Sequence, residues 1–491
     1  MSAFLTNSKL VKQLKQLSDN DLKEFGKYLK SRFGNRHSVL VDFQKILRNA
    51  HPEYQRKLLN KRKIYAALMS GNYNGRRLND LISRLSKILE QFLVEDELKN
   101  NPILGKILLA RGYKKRGADE LFYSEVDKAI TLHEIQEEKN YSFYSSLFNL
   151  KYNRYFYPAT SKYELQIDSN LEGITELLEG QYLLARLRLV NESIMRQSIV
   201  NHYHSISDLD HLLAKARKME TQIPLIGMWR RITELSLKRN LVAYNEAKSF
   251  YNTYRELTNK TEQFGILASF INYGISQLNQ GKEEYYREIF SLYANGVKWD
   301  ILAEHGKVSP DHFNNIVNTA CVVEEFEWLE YFLKVYTPML PEEVRTDISN
   351  LSNASLYFFR GSKKLDDSKN GHKDLKNAIF LLQNVNYVDF SYNLRARSIV
   401  LRAYYELGED QSLGDYIIAF RQYLKRNKTI AKNVVVANLN FLSFVRKLAS
   451  TRLRDQELVD VEILRTQLSQ LSPITYKSWL YKAITKIGMS Q

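Results

Sequence analysis

The sequence is poor in the residues that shape disulfide-rich and turn-rich proteins. It has one cysteine, eight prolines and 20 glycines in 491 residues. One cysteine cannot form an internal disulfide, and Cys321, in the apolar stretch NTACVV, is predicted to be an inert buried thiol in a reducing compartment. Because turn-rich all-β folds need glycine and proline, their scarcity favours helices.

Long apolar segments and catalytic motifs are missing as well. The first residues, MSAFLTNSKLVKQLKQL, contain no apolar run of about 7–15 residues, so no secretory signal is expected. No stretch approaches about 18 apolar residues, so no transmembrane helix is expected. The sequence also has no glycine-rich phosphate loop and no HExxH, GxSxG or CxxC motif. We therefore expect a cytoplasmic, non-enzymatic protein without a cofactor or metal ion.

The positive charge is concentrated at one end of the chain. Residues 1–116 carry 25 Lys and Arg against 10 Asp and Glu, whereas the remaining residues carry 46 against 45. Nearly all of the net charge of +16 therefore belongs to the first quarter of the sequence. Such a local field favours an anionic partner, which is nucleic acid, an acidic protein face or an anionic membrane surface. A surface that serves only solubility is the alternative.

Residues 1–116 have the apolar periodicity of five short helices, which predicts a compact all-α bundle. The second helix is marked by Ser18 and Asp21, whose spacing is that of a capping box, and it is predicted to end at Gly34. The three helices after it are predicted at about 37–49, 60–69 and 75–95.

The stretch 100–118 contains Pro102, three glycines and a basic triplet, and it is predicted to be a helical connection into a different architecture. From there to the end, helices of about 12–20 residues alternate with short polar turns, which is typical of an α-solenoid. We predict three domains: a basic helical bundle (1–116), an irregular helical-repeat region resembling tetratricopeptide (TPR) repeats (117–300), and TPR-like repeats (301–491).

A repeat register supports the TPR-like prediction. Three glycines are predicted to end the first helices of hairpins, and each follows an inner helical position by seven residues: Gly274 and Gly281, Ala354 and Gly361, Leu401 and Gly408. A small residue at the first position lets two helices approach closely. The signal is degenerate, since Leu401 is not small, and an irregular helical-repeat domain is the alternative. The polar stretch 362–372 is predicted to be an insert between two helices.

Two segments carry a resemblance to a known family. The stretches LSDNDLKEFGKYLKSRF and YNGRRLNDLISRLSKILEQFLV resemble the N-terminal signature of a family of uncharacterised all-helical proteins from Bacteroidota. The resemblance is specific over about residues 15–100. After that it extends only to the general pattern of helices and turns. It implies a basic N-terminal helical module and a TPR-like remainder, and it implies no activity and no functional residue.

The helix that begins at Gly75 carries an apolar stripe on one face and charges on the other. Arg76 and Arg77 stand at its N-terminus, where the helix dipole favours an anion. Lys61-Arg62-Lys63 on the preceding helix is expected to join the same patch. The residues predicted to bind an anion or nucleic acid are Lys61, Arg62, Lys63, Arg76, Arg77, Arg84, Lys114, Lys115 and Arg116.

A short basic helix, a turn and a second helix also outline a DNA-reading helix-turn-helix. The turn SGNYN is longer than usual, EDELKNNP provides no β-hairpin wing, and Asp80 occupies a position where a base-reading side chain is expected. A packing helix with a solvated basic face is therefore favoured over sequence-specific DNA reading.

Three further patterns are weighed against structural roles. The aromatic and basic stretch 140–163 has helical spacing, which favours a core helix over a base-stacking surface. The histidines His202, His204 and His211, with Asp208, form only a weak metal-site pattern because a Ser-rich turn is expected to interrupt the helix. The spacing of Arg32 and His37 resembles that of the HEPN ribonucleases, although the pair straddles the predicted helix end.

Together these observations favour a non-enzymatic adaptor. Its TPR-like solenoid would bind a protein or peptide, and its basic N-terminal module would contact an anionic surface. A nucleic-acid-binding or ribosome-associated protein that uses the N-terminal module is the second hypothesis, and a HEPN-like ribonuclease is the third.

Overall fold

A computed structural model describes residues 4–31, 38–157, 170–199, 206–304, 306–365, 369–383, 390–452 and 461–489. Over these residues the chain forms 23 α-helices, three short 3₁₀ turns and no β-strand, which confirms the all-α prediction. The chain divides into two compact units, Met1–Tyr182 and Leu183–Gln491. Domain boundaries at 116 and 300 stay predictions.

The first unit contains eight complete helices among its described residues. They are α1 Lys9–Leu14, α2 Asp19–Lys30, α3 Ser38–Arg48, α4 Lys61–Leu68, α5 Gly75–Asn100, α6 Pro102–Lys114, α7 Asp119–Glu134 and α8 Tyr141–Tyr155. The capping box at the start of α2 is present, with Ser18 Oγ accepting from the Asp21 backbone N–H at 3.2 Å. This helix ends at Lys30, before the predicted Gly34, which lies outside the described residues.

Helices α1–α5 share one apolar core that includes fully buried Phe25 and Phe43. Of the apolar stripe predicted for the long helix α5, five residues are buried, namely Leu78, Leu81, Leu85, Leu89 and Phe92, and the other two, Ile82 and Ile88, are half-buried against the same core. The buried Gln44 side chain is paired, since its Nε2 donates to the Leu22 carbonyl at 2.9 Å. This core makes α5 first of all a packing helix, as its periodicity predicts.

Helices α6–α8 form a second, smaller core in the same unit. Its buried residues are Ala110, Phe122, Val126, Ala129 and Leu150. Glu125 of α7 is buried and receives Lys106 from α6 and Lys128 from its own helix, each at 2.7 Å. The hydrogen bonds from these two lysines lower the pKa of Glu125, so the carboxylate stays charged and joins α6 to α7.

The second unit begins inside α9 (Asn170–Ile199) and continues as a succession of helices. They are α10 Leu209–Met219, α11 Pro224–Lys238, α12 Leu241–Tyr254, α13 Lys260–Leu278, α14 Tyr285–Lys298, α15 Pro310–Val322, α16 Phe326–Tyr336, α17 Glu342–Lys363, α18 Lys369–Leu382, α19 Phe390–Leu407, α20 Asp410–Arg426, α21 Lys432–Arg452, α22 Val461–Gln470 and α23 Lys477–Met489. From α10 to α21 each helix contacts the next one along the chain. Contacts also join helices two apart: α11 with α13, α15 with α17, and α17 with α19.

The predicted small position Gly274 brings α13 and α14 together. A Cβ at Gly274 would lie 2.7 Å from Ile289 Cγ1, so only glycine fits at this contact without a shift. Gly281, seven residues later, has φ +85° and forms the turn that the register predicts. Gly408 has φ +71° and plays the same part after α19.

The position of Gly361 differs from the one that the repeat register predicts. It was expected to end a helix, but it lies inside α17, which continues to Lys363. A Cβ there would stand 2.9 Å from the Gly371 carbonyl oxygen, so this glycine permits close packing against α18. The predicted insert 362–372 is shorter than expected, because its first two residues belong to α17 and α18 already begins at Lys369. Polar composition misled the prediction, since solvent-facing helix residues are polar too.

Cys321 lies in α15 and is completely buried, as predicted. Burial raises its thiol pKa to about 12, so the thiol is protonated and unreactive at neutral pH.

A buried network of charges joins α10 to α11. Arg230 donates to Glu234 at 2.6 Å and to Glu220 at 2.8 Å, and Arg217 and Lys238 also reach Glu234 at 3.1 Å. Burial raises the pKa of Glu234, but hydrogen bonds from these three cations outweigh it and lower that pKa to about 2. Arg230 and Glu234 are only 7% and 5% exposed, so these two charges depend on each other rather than on water, whereas the side chains of Arg217 and Lys238 reach solvent.

We predict that Glu234→Gln destabilises the second unit at pH 7 by about 3 kcal/mol. The pKa of Glu234 lies below its unfolded value of about 4.3, so this stabilisation is present above pH ~5 and is lost as the pH falls towards 2. All four tryptophans belong to the second unit, so denaturation followed by tryptophan fluorescence at pH 7 and pH 3 reports on it. Glu246→Gln, at an exposed position, is the control. An equal loss at both pH values would contradict the prediction.

Two glycines of α13 give a matched pair. Gly274→Ala is expected to destabilise the second unit by about 1–2 kcal/mol because the new methyl group collides with Ile289. Gly265→Ala is expected to stabilise it by about 0.5–1 kcal/mol, since the nearest atom to its Cβ is 4.0 Å away and alanine favours helix. Denaturation monitored by tryptophan fluorescence measures both, and shifts of the same sign would show that the close contact has no energetic role.

Candidate anion-binding surface

The basic residues predicted as a site lie at two helix starts built in the same way. Asn60 caps α4, and its Oδ1 accepts from the backbone N–H groups of Arg62 and Lys63 at 3.0 and 3.2 Å. Asn74 caps α5 and accepts from those of Arg76 and Arg77 at 3.0 and 3.1 Å. Each cap consumes two amides of the first turn, so an anion here meets chiefly side chains and the helix dipole.

Tyr73 joins the two helix starts. Its ring lies 5.5 Å from that of Tyr65 on α4, and the Arg62 guanidinium lies 5.9 Å from its centroid. A Cβ at Gly75, the first residue of α5, would lie 3.4 Å from the Tyr73 hydroxyl. The contact brings Arg62 towards the N-terminus of α5, as the sequence predicts. We call Lys61, Arg62, Lys63, Arg76 and Arg77 the basic patch.

The cations of the basic patch have no acidic partner among the described residues. Arg62, Lys63, Arg76 and Arg77 are exposed, and within the described part of the chain none of the five forms an ion pair. Other lysines of the bundle are paired, such as Lys9 with Glu90 at 2.6 Å and Lys45 with Asp42 at 2.8 Å. Like charges gathered at two helix N-termini cost stability. A bound anion would offset that cost.

Arg84 lies on the exposed face of α5, about 12 Å along the helix from Arg76 at 1.5 Å per residue. Exposed Asp80 occupies the same face between them, so the positive surface weakens in this direction. Arg84 therefore marks an extension of the basic patch rather than its centre.

The structure separates Lys114, Lys115 and Arg116 from the basic patch. From Arg76 to Asn100 the helix α5 extends about 36 Å, whereas α6 and the two-residue step into it can return only about 25 Å, so Lys114 is at least about 10 Å from Arg76. Lys114 Nζ lies 4.9 Å from the ring centroid of Tyr157, and Arg116 donates to the Gly112 carbonyl at 2.9 Å. Lys115 is exposed at the C-cap of α6.

Sequence reasoning missed a groove along α6 and α8. One cavity of about 470 Å³ lies beside Arg111 and Lys114, with hydroxyls of α8 on its other wall. A second of about 530 Å³ continues past Glu137 and Glu138. Both are lined by Ile107, Ser142 and Ser146, so they form one groove, here named the α6–α8 groove. The signal was present in the helical spacing of the α8 polar residues Ser142, Ser145, Ser146, Asn149 and Asn153.

Buried His133 stands in the wall of the second cavity. Its Nδ1 lies 2.8 Å from Gln136 Oε1, and its Nε2 has no hydrogen-bond partner among the described residues. Burial lowers its pKa, so the imidazole is neutral at pH 7.

A third cavity, of about 300 Å³, belongs to the second unit and lies between α9, α11 and α13. Its wall is rich in small polar side chains, including Ser236, Ser269, Asn272 and Ser276, and one cation, Arg239. Such a wall can form hydrogen bonds with a bound segment, and among the described residues it carries only one charged side chain.

The aromatic stretch behaves only partly as predicted. In α8 the stripe of Phe143, Leu147 and Leu150 is buried, which confirms a packing role. Helical spacing also predicts a core stripe of Tyr141, Tyr144, Phe148, Tyr152 and Tyr155, but of these only Tyr144 is buried. Tyr152 and Tyr155 are exposed, and Phe156 just beyond the helix is 55% exposed. The rest of the stretch, from residue 158, lies outside the described residues.

The two catalytic or metal patterns fall largely outside the described residues, which exclude Arg32, His37, His202 and His204. Asp208 precedes α10 as its N-cap, so the helix does not continue back from His211 to the other histidines. Over the described residues, no group of three or more acidic, His or Cys side chains is placed to hold a metal ion. Within the same residues, no helix has both the length and the hydropathy to cross a membrane.

Comparisons with family models, with curated proteins and with solved structures find no match to this chain.

Proposed function

We propose that this protein is a non-enzymatic adaptor. Its basic N-terminal module contacts an anionic surface, and its later helices form a TPR-like solenoid that binds a protein partner. The observation that carries the proposal is the basic patch, whose five cations are gathered at two helix starts without an acidic partner among the described residues.

Electrostatics explains why the patch is a contact surface rather than part of the scaffold. The bundle is held by an apolar core and by paired polar groups such as Ser86, whose hydroxyl donates to Gln13 at 2.7 Å. The patch adds nothing to that core. Its exposed cations remain hydrated and available, and cations in such positions raise the rate and affinity of encounter with anionic partners.

Helix contacts in the second unit support the solenoid part of the proposal. Contacts between successive helices, together with those of α11 with α13, α15 with α17 and α17 with α19, are what stacked helical hairpins require. Close approach at Gly274 and Gly361 fits the same architecture. The cavity between α9, α11 and α13, with its small polar side chains, is a surface on which a partner segment can form hydrogen bonds.

Nucleic-acid binding is the second candidate, and Tyr73 favours it. This ring is 41% exposed and stands beside Arg62 at the centre of the basic patch. Aromatic rings next to cations stack on unpaired bases while the cations neutralise phosphates. In this alternative the anionic surface is RNA or a ribosome.

We predict that the triple change Arg62→Gln, Arg76→Gln and Arg77→Gln weakens binding to vesicles containing about 30% phosphatidylserine by about 100-fold. The reason is that each cation near an anionic surface contributes about 1 kcal/mol. Vesicle co-sedimentation measures this, and a single-stranded RNA of mixed sequence, titrated at 50–200 mM salt (about the range over which phosphate contacts are screened), measures the second candidate.

The matched control is Lys12→Gln, Lys15→Gln and Lys23→Gln, which removes the same charge from exposed positions of α1 and α2 and their flanks. It should change either affinity by less than about tenfold. Equal losses in the two triple variants would show that net charge, not the basic patch, determines binding. Affinity capture from lysate with and without nuclease then separates protein partners from those bridged by nucleic acid.

A further inference from the structure

The α6–α8 groove has an apolar floor, one polar wall and one cationic wall. Phe122 and Val126 of α7 are both 3% exposed and form part of the floor. Ser145, Ser146 and Asn149 line the wall on α8, while Arg111 and Lys114 line the wall on α6. Apolar floors with a few polar groups on the walls are typical of ligand sites rather than of ordinary surface.

The two cations of this wall have no acidic partner among the described residues. Within the same residues, neither Arg111 nor Lys114 forms an ion pair, although four other cations of α6–α8 do so: Lys106, Lys128, Lys151 and Arg154. Lys114 is held instead over the rings of Tyr157 and Phe122, with its Nζ 4.9 and 5.8 Å from their centroids. This places a fixed positive charge at the edge of a groove with apolar surroundings, where a carboxylate is bound more strongly than in open water.

The opposite end of the groove has the opposite charge. Glu137 and Glu138 line the second cavity, beside Ile103 and Leu104 at the beginning of α6. From Ile103 to Lys114 the helix rises about 16 Å, which equals the span of an extended peptide from its first to its sixth residue at about 3.3 Å per residue. The groove is therefore an electrical dipole with the length of a six-residue segment.

We propose that the α6–α8 groove binds a short extended peptide with a carboxylate at the Arg111–Lys114 end and a cationic group about five residues away, at the Glu137–Glu138 end. The carboxylate comes from an acidic side chain or from a chain terminus. The serine and asparagine side chains of α8 hydrogen-bond the peptide backbone, which requires no particular sequence. This inference rests on the proposed function, since it names the chemistry of one protein partner of the adaptor.

The groove also gives Lys114 a role different from the one that the sequence predicts. The sequence places it with the anion- or nucleic-acid-binding residues, but its position over Tyr157 directs it to a peptide carboxylate rather than to the surface that the basic patch contacts. Sites for the two partners are thus separate, and each can be removed without the other.

The test uses the full-length protein on arrays of six-residue peptides with random middle positions and fixed ends. Each peptide is made with an acetylated N-terminus and with either a free or an amidated C-terminus. Arrays K-x4-E and E-x4-K should yield binders, whereas amidated K-x4-K and amidated Q-x4-Q, which carry no carboxylate, should yield none. Loss of binding when K-x4-E is amidated identifies a terminal carboxylate, and retained binding identifies a side-chain carboxylate. No binder on any array, or binders on amidated K-x4-K, would overturn the proposal.

The strongest binders are then measured by fluorescence anisotropy against variants. Arg111→Gln with Lys114→Met should weaken binding at least tenfold, and methionine retains the aliphatic contact with Tyr157 and Phe122 so that the fold is preserved. Lys87→Gln with Lys99→Gln removes two exposed charges from α5 and should change affinity less than twofold. Ser146→Trp, which fills the junction of the two cavities, should abolish binding without changing either cation.

Unchanged affinity in the Arg111/Lys114 variant or in Ser146→Trp would refute the site. The same variants should bind anionic vesicles and RNA as the unmodified chain does, because the basic patch is intact. Loss of peptide binding alone therefore tests this inference, and loss of vesicle and RNA binding in the Arg62/Arg76/Arg77 variant tests the proposed function.

Discussion

Burial of one helix face against another is the interaction on which this whole chain depends. It has a single cysteine and, in the described residues, no sheet, so neither disulfides nor strand pairing stabilise it. Each helix must therefore place its apolar stripe against a neighbour. In α5 that stripe runs from Leu78 to Phe92, and it fixes which charged side chains face solvent. The positions of Arg76, Arg77 and Arg84 are consequences of the core rather than independent features.

Charges in the two units serve different purposes. In the second unit, Arg230 and Glu234 are buried together, and the depressed pKa of Glu234 records how far their ionised forms depend on each other. In the first unit the cations of the basic patch are exposed, with no ion pair among the described residues. Because Arg230 also reaches Glu220 at the end of α10, this buried network joins two helices. Exposed cations of one sign leave a field that only a partner can neutralise.

The α6–α8 groove shows how a gap between packed helices can become a binding surface when polar and charged side chains line it. Helix α7 packs against α6 and α8 and closes the floor, but the facing sides of α6 and α8 leave space between them. Small side chains such as Ser142 and Ser146 keep that space open, whereas larger apolar residues would fill it. Arg111 and Lys114 make one end of the groove positively charged, so the two ends of the gap between the helices differ in charge.

The sequence alone determined what depends on local pattern. Helical periodicity, the Ser18–Asp21 capping box, the buried stripe of α5, the buried thiol of Cys321 and the concentration of charge in residues 1–116 all follow from spacing and composition. Tertiary structure decided what depends on which helix covers which face. It made Gly361 a packing contact instead of a turn, left Tyr152 and Tyr155 exposed, moved Lys114 away from Arg76, and opened the groove. Those outcomes are set by helix lengths and side-chain volumes that meet across long separations in sequence, which periodicity along one helix does not encode.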